Sequence, residues 1–315
     1  MNISPSRLSR VQSPSHLLMV RPKAFGFNSQ TAESNGFQQT VSDLSVSEIR
    51  KRAVREFDRF VSILKDHKIE VTVFEDLEEP ITTDAVFPNN WISFHQNGKI
   101  ILYPMMAPIR RLERRHDIVD HFADMYPNAE VIDLSPHEEE GIYLEGTGSM
   151  IMDRVHQRIY ACESARTNPV LFRQFCQQME CEGILFHAVD ESGLPIYHTN
   201  VMMAVGAKVA VVCFESIHDK HERDYLVGRL VESGHEIVPL TMEQINQFAG
   251  NMLEVINQEG KPYMVLSQRA YDSLNPTQRS QINMHSELLP IPLDVIETYG
   301  GGSVRCMMAE VFLPA

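Results

Sequence analysis

Short apolar runs punctuated by Asn, Gly and Pro alternate along this chain with stretches whose apolar residues recur every three or four positions. The first kind predicts strands and the second amphipathic helices. Leu17–Val20, stopped by Arg21-Pro22, predicts a short buried strand. From Ser45, the spacing of Ile49, Ala53, Phe57, Phe60 and Leu64 predicts a helix capped by Ser45 or Ser47. Glu70–Phe74 predicts the next strand. Between the first strand and the helix, Phe25–Gln39 is rich in Asn, Ser, Gly and Phe, and predicts a loop long enough to serve as a lid.

The pattern then repeats. Val86–Phe94 predicts a strand, Asn97-Gly98-Lys99 a hairpin turn, Lys99–Tyr103 the return strand, Ile109–Met125 an amphipathic stretch and Ala129–Leu134 a further strand. The second copy runs through Tyr143–Met152, a turn at His156-Gln157-Arg158, Ile159–Cys162, a helix over Asn168–Met179 and a strand over Ile184–Val189. The third has Pro195–Met203, a turn at Gly206-Ala207-Lys208, Val209–Phe214, a helix over Asp219–Ser233 and a strand over Glu236–Pro239. The fourth has Phe248–Val255, a turn at Glu259-Gly260-Lys261, Tyr263–Ser267, a helix over Pro276–His285 and a strand near Leu289–Pro292. The fifth consists of Tyr299–Met308 and the apolar run up to Leu313.

Equivalent positions fall at Asn90, Thr147, Asn200, Asn251 and Val304, a period of roughly fifty residues. The fifth copy lacks a return strand, a helix and a last strand, and the N-terminal segment offers all three. That implies an α/β fold of five ββαβ units, closed into a five-fold pseudo-symmetric ring that leaves no free sheet edge. A linear α/β array or an open sheet is the competing architecture. On this reading, residues 17–315 form a single domain and residues 1–16, rich in Ser, Pro and Arg, form a loose arm.

Composition narrows the partners. A net charge of −14 disfavours nucleic acid and anionic membranes. No apolar run reaches the eighteen or so residues of a membrane span, and the N-terminus has no signal-peptide core. The five cysteines, at 162, 176, 181, 213 and 306, form no C-x-x-C and suggest no disulfide framework. A reducing, cytoplasmic setting is expected.

The repeat also points to chemistry. Equivalent positions in five units around one axis converge on that axis, and here they carry Asn89-Asn90, Glu145, His198 with Asn200, Asn251, and Cys306. Each alone has a structural explanation, such as an Asn serving a turn or a His satisfied in the core. Together they supply a thiol, an imidazole and a carboxylate, the minimum for covalent catalysis at an electrophilic carbon. The glycines Gly300-Gly301-Gly302 before Cys306 allow close approach of backbone and ligand. No metal or other cofactor is expected. His116, His121, His218, His221 and the run His137-Glu138-Glu139-Glu140 match no zinc-ligand spacing.

From Val20-Arg21-Pro22 to Gly300-Gly301-Gly302-Ser303-Val304-Arg305-Cys306, the chain resembles the guanidine-modifying superfamily with the pentein α/β-propeller fold. That superfamily includes arginine deiminases, dimethylarginine hydrolases and amidinotransferases. His198-Thr199-Asn200 and Glu145-Gly146 carry the same likeness. Val20–Asn28 and Thr31-Ala32-Glu33 are most similar to the citrulline utilization hydrolase branch. The resemblance implies Cys306 as nucleophile, His198 as general acid/base and Glu145 as the carboxylate holding substrate nitrogens. It places Asn90 and Asn200 where deiminases have two guanidinium-gripping aspartates, with Asn89 beside them. Asp84 would meet the substrate α-amino group, and Arg305 or Arg21 its carboxylate.

The departure at Asn90 and Asn200 favours a neutral substrate. Two carboxylates suit a cation, whereas an amide offers one donor end and one acceptor end. The expected reaction is therefore hydrolysis of a ureido amino acid such as citrulline, with a guanidino amino acid second. The expected partner is this small molecule, and a homodimer is compatible with the sequence. An amidinotransferase and a non-catalytic binding protein of the same fold are the alternatives.

Overall fold

The computed structural model describes residues 10–32, 35–38 and 44–314. The first strand, β1 (His16–Arg21), is followed by β2 (Glu70–Glu75). Then come β3 (Ile92–Phe94), β4 (Lys99–Leu102) and β5 (Glu130–Asp133), then β6 (Ile151–Asp153), β7 (Arg158–Cys162) and β8 (Glu182–Phe186). They continue with β9 (Met203–Val205), β10 (Val209–Val212) and β11 (Glu236–Pro239), then β12 (Leu253–Ile256), β13 (Pro262–Ser267) and β14 (Glu287–Ile291), and finally β15 (Ala309–Glu310). Among the described residues these strands pair into five three-stranded sheets of one design. In each, an antiparallel pair is extended by a parallel strand reached through a helical crossover, as parallel pairing requires. The sheet β15-β1-β2 is assembled from both ends of the chain. Ala309 and Glu310 pair with Leu18 and Leu17, and β1 runs parallel to β2 in full register. The N-terminal segment thus completes the fifth unit.

The crossover from β1 to β2 is the helix Val46–Asp66. Its N-cap is Ser45, whose hydroxyl accepts from the Glu48 amide, and its buried stripe is Ile49, Ala53, Phe57, Phe60 and Leu64. That stripe packs with Leu17, Met19, Leu289, Ile291 and the backbone turn holding Cys306 in one apolar cluster. The stretch Ile109–Met125 is two helices, Pro108–Arg111 and His116–Met125, rather than one.

The first strands of the units are shorter than their apolar patterns predict. Val86–Phe94 is a 3-10 turn over Pro88–Asn90 followed by β3, and Tyr143–Met152 holds a helical turn over Gly146–Ser149 before β6. Pro195–Met203 holds a 3-10 turn over Thr199–Val201 before β9. Periodicity cannot separate a buried helical turn from a buried strand when both are fully apolar-facing.

The arm expected to be loose is anchored where it is described. Gln12 Nε2 donates to Met152 O at 2.8 Å and Val205 O at 3.1 Å, and the buried Ser13 hydroxyl meets Glu254. Residues 1–9 lie outside the described residues, as do 33–34 and 39 of the expected lid. Among the described residues, no helix is long and apolar enough to cross a membrane.

Candidate active site

The helical turns before β3, β6 and β9, with the turns at Phe248–Asn251 and Ser303–Met307, are where the site is built. Hydrogen bonds join them in sequence. Asn89 Nδ2 reaches Thr147 Oγ1 at 3.3 Å, and Thr199 Oγ1 donates to Ser149 O. Asn251 Nδ2 donates to Asn200 O at 3.0 Å, and the Arg305 amide donates to Asn251 Oδ1 at 3.0 Å. Phe87, from the first turn, lies against Gly302, where a Cβ would come within 2.9 Å of its ring.

Cys306 is buried in the last of these turns. Two amides point at its sulfur, Asn251 Nδ2 at 3.3 Å and Asn200 Nδ2 at 3.5 Å. The backbone N–H of Arg305 fixes which end of Asn251 is oxygen, so its NH2 must face the sulfur. Both NH2 groups are thus placed to donate to the sulfur.

His198 and Glu145 form the second element. His198 Nε2 lies 2.8 Å from Glu145 Oε2, while Glu145 Oε1 accepts from the Met106 amide at 2.9 Å. The Arg166 guanidinium stands 3.6 Å from the same carboxylate and lies over the Tyr197 ring. Burial pushes the Glu145 carboxyl up, but Arg166, His198 and Arg110 outweigh it and hold it at about 2. Burial lowers the His198 pKa to about 4 against the opposing pull of Glu145. The ionised carboxylate therefore accepts the Nε2 proton of a neutral imidazole, which leaves the lone pair on Nδ1. Gly148 makes room for this edge. A Cβ there would lie 2.4 Å from Asn90 Nδ2 and 2.8 Å from His198 Nδ1.

A third group comes from the helix Pro108–Arg111. Arg110 is buried and forks onto Glu113 with contacts of 2.9 to 3.2 Å. Its Nη1 donates to Asn90 Oδ1 at 2.8 Å and its Nη2 to Phe87 O at 3.2 Å. Asp84 lies 3.8 Å from Arg110 Nε and accepts from Asn28 Nδ2 at 2.7 Å. Asp84, Asn90, Arg110, Arg166, Tyr197, His198 and Cys306 line one cavity of about 20 Å³, roughed over by Thr31 and Asn35 of the expected lid. Asn35 Nδ2 donates to Gly301 O at 3.3 Å, at a glycine with φ of 63° whose Cβ position lies 2.6 Å from Asn35 Nδ2.

Residues 21–313 match the family model described as N,N dimethylarginine dimethylhydrolase, eukaryotic. The chain belongs to this family. It is a family of the pentein superfamily of guanidino-modifying enzymes. No curated protein matches the chain by sequence. Among solved structures, the N-terminal domain of ArgZ, an arginine dihydrolase from cyanobacteria, is similar over 95% of this chain and 98% of that one. The TM-score is 0.73 at 14% identity, and the ArgZ structure is a cysteine-to-serine variant bound to substrate. AgrE in complex with ornithine and NAD+ is similar over 95% of this chain and 39% of that one, with TM-score 0.72 and 16% identity. A cysteine-to-serine variant of DDAH from Pseudomonas aeruginosa, in complex with citrulline, is similar over 95% of this chain and 99% of that one. Its TM-score is 0.66 and its identity 16%.

Within this dimethylarginine dimethylhydrolase-family fold, the cavity brings together Cys306, His198, Asn90 and Asp84, with Glu145 directly behind His198. Two expected carboxylate-binding residues are elsewhere. Arg21 sits at the outer end of β1, paired with Asp58 at 2.7 Å and Glu75 at 3.2 Å. The Arg305 side chain turns away to Met308 O and Glu310, because consecutive residues of the turn face opposite sides and Cys306 takes the inner one. Asn89 braces the neighbouring turn, and Asn200 addresses the sulfur rather than the cavity. Arg110, Glu113, Arg166 and Tyr197 were not anticipated. Arg110 and Glu113 sit in a charged stretch, Arg110 to Arg115, that reads as a solvated helix face.

The neutral His198 has a measurable consequence. Between 6.5 and about 4, the unfolded chain binds a proton that the folded chain refuses, so stability falls as pH drops through that window. Glu145 adds a loss of the same sign between 4.5 and about 2. For His198 the expected loss from pH 7 to pH 5 is about 2 kcal/mol. Urea titrations at both pH values should show this loss reduced in His198→Gln. An equal loss in both proteins would exclude His198 as its source.

Proposed function

We propose that the chain is a hydrolase that breaks a C–N bond of a ureido amino acid, citrulline-like, through a covalent adduct on Cys306. The observation that carries the choice of substrate is the orientation of Asn90. A guanidinium can only donate, so the atom 2.8 Å from Arg110 Nη1 must be the amide oxygen. The Asn90 NH2 is therefore turned the other way, buried and without a partner. Asp84 Oδ1 is likewise buried without a partner. The Asn90 NH2 and Asp84 Oδ1 thus offer the cavity an unfilled donor and an unfilled acceptor. A ureido group supplies the matching oxygen and N–H groups, whereas a guanidinium, all donors, would leave the Asn90 NH2 unanswered.

The proposed reaction starts with the thiol proton passing to His198 Nδ1 as the sulfur attacks the ureido carbon. The departing nitrogen takes that proton from His198, leaving an S-carbamoyl adduct. His198 then draws a proton from water, which attacks the adduct and frees the thiol. Asn200 and Asn251 hold the sulfur's charge at each stage. A cavity of about 20 Å³ holds roughly one water, so substrate access requires the segment carrying Asn28, Thr31 and Asn35 to open. The hydrogen bonds joining successive turns support a closed five-fold arrangement of the sheets in a single domain.

The family match supports a second reading, in which the substrate is a methylated guanidino amino acid. Steady-state kinetics with citrulline, arginine and dimethylarginine decide between them. The first reading expects kcat/KM highest for citrulline, and a clear preference for either guanidine overturns it. Asn90→Asp should reverse the order, because a carboxylate replaces the outward donor; we expect citrulline kcat/KM to fall by ~10²-fold or more. An unchanged ratio between citrulline and arginine would show that Asn90 does not read the substrate.

A further inference from the structure

We propose that Asp153, His156 and His235 form a second site, which binds a divalent transition metal of the zinc type and ties two neighbouring sheets together. None of the three lines the cavity around Cys306. Asp153 ends β6 and His156 lies in the turn to β7, while His235 directly precedes β11 in the next sheet. One ligand atom from each lies within 4.8 Å of the other two.

The chemistry of His235 points to a ligand. Its Nε2 lies 3.1 Å from the Gly206 carbonyl, which can only accept, so Nε2 carries the proton. Nδ1 then holds a lone pair, and this atom is buried with no hydrogen-bond partner. A ring nitrogen fixed by a backbone carbonyl, with the other nitrogen free, is how metal-binding histidines are oriented. His156 Nδ1 lies 2.8 and 2.9 Å from the two oxygens of the buried Asp153 carboxylate. The three residues offer two imidazoles and one carboxylate. That donor set suits zinc rather than calcium or magnesium, which take oxygen.

Ligands 2.0–2.1 Å from a tetrahedral zinc are roughly 3.3 Å apart, so the cluster must contract slightly. His156 can supply that movement, since its side chain is 35% exposed. The same exposure gives the ion a path in and leaves a fourth position for water. The spacing of these residues, three and then seventy-nine apart, resembles no zinc motif, because the second histidine comes from a different repeat.

The test is calorimetric titration of Zn²⁺ into metal-stripped full-length protein carrying Cys306→Ser, so that the active-site thiol cannot compete. We expect one equivalent bound, and a Kd raised at least ~100-fold by His156→Gln or His235→Gln. His156 is exposed, so its variant should keep the parent's circular dichroism even if His235→Gln does not fold. Zn²⁺ should also raise the Tm of the parent and not that of His156→Gln. Co²⁺ substitution should give a spectrum without a thiolate-to-cobalt charge-transfer band. Equal Zn²⁺ affinity in parent and His156→Gln, no binding in the parent, or a thiolate band at the first equivalent would each overturn the proposal.

Discussion

Replacing Cys306 by serine is expected to lower kcat by ~10⁴-fold or more while leaving a folded protein. The hydroxyl is a far weaker nucleophile near neutral pH, and the site offers it only a neutral His198 as base. The fold should survive because serine still accepts from Asn200 and Asn251, whose NH2 groups now meet the sulfur at 3.5 and 3.3 Å. Alanine would strand both donors in a buried turn, which makes serine the cleaner substitution. Intact-mass spectrometry supplies the complementary measurement. Incubation with citrulline should add mass at Cys306 in the parent and none in the variant. Turnover in Cys306→Ser within tenfold of the parent would rule out the covalent route. An adduct with arginine or dimethylarginine but not citrulline would keep the route and replace the substrate.

Arg110→Met should cost about 3–5 kcal/mol of stability. Methionine fills much of the volume but leaves Glu113, buried at 4% exposure and with its pKa pushed up to about 8 by that burial even beside Arg110, to take a proton and lose its three guanidinium contacts. It also removes the donors to Asn90 Oδ1 and Phe87 O. The double variant Arg110→Met, Glu113→Leu should recover most of the loss, because both charges are then absent. Urea unfolding of the three proteins measures this. A single-variant loss below 1 kcal/mol would mean that the pair contributes little to the fold. Where the variant folds, Asn90 is free to turn over, so discrimination between citrulline and arginine should relax as well.

Family membership points to guanidino C–N chemistry, and the proposed reading of the site differs from it in substrate charge. The family description concerns a methylated guanidine. The cavity presents an outward amide donor and two arginines. A ureido group also stands at the end of guanidine hydrolysis, so this site chemistry would hold the product of the one reaction or the substrate of the other. The kinetic comparison above separates the two cases.

The hairpin turns, the spacing of helices and the N-terminal helix stripe from Ile49 to Leu64 could be read from local pattern. Each depends on residues a few positions apart, where turn chemistry and periodicity act directly. The same regularity singles out Cys306, His198, Glu145 and Asn90 as candidates, since a repeat puts equivalent positions in equivalent places. Side-chain direction within a turn was not legible. Cys306 faces the cavity and Arg305 turns away from it although they are adjacent, and Asn200 turns its NH2 to the sulfur. Arg110 and Arg166 look like surface charges in sequence. Only the fold shows them buried, because their partners, Glu113, Asn90, Glu145 and Tyr197, are drawn largely from other turns. The sequence by itself determined the repeating unit, the missing pieces of its last copy and a candidate set of reactive side chains. The tertiary structure alone decided which way each faces, the charge around the cavity and the orientation of the Asn90 amide, since those depend on contacts between residues far apart in the chain.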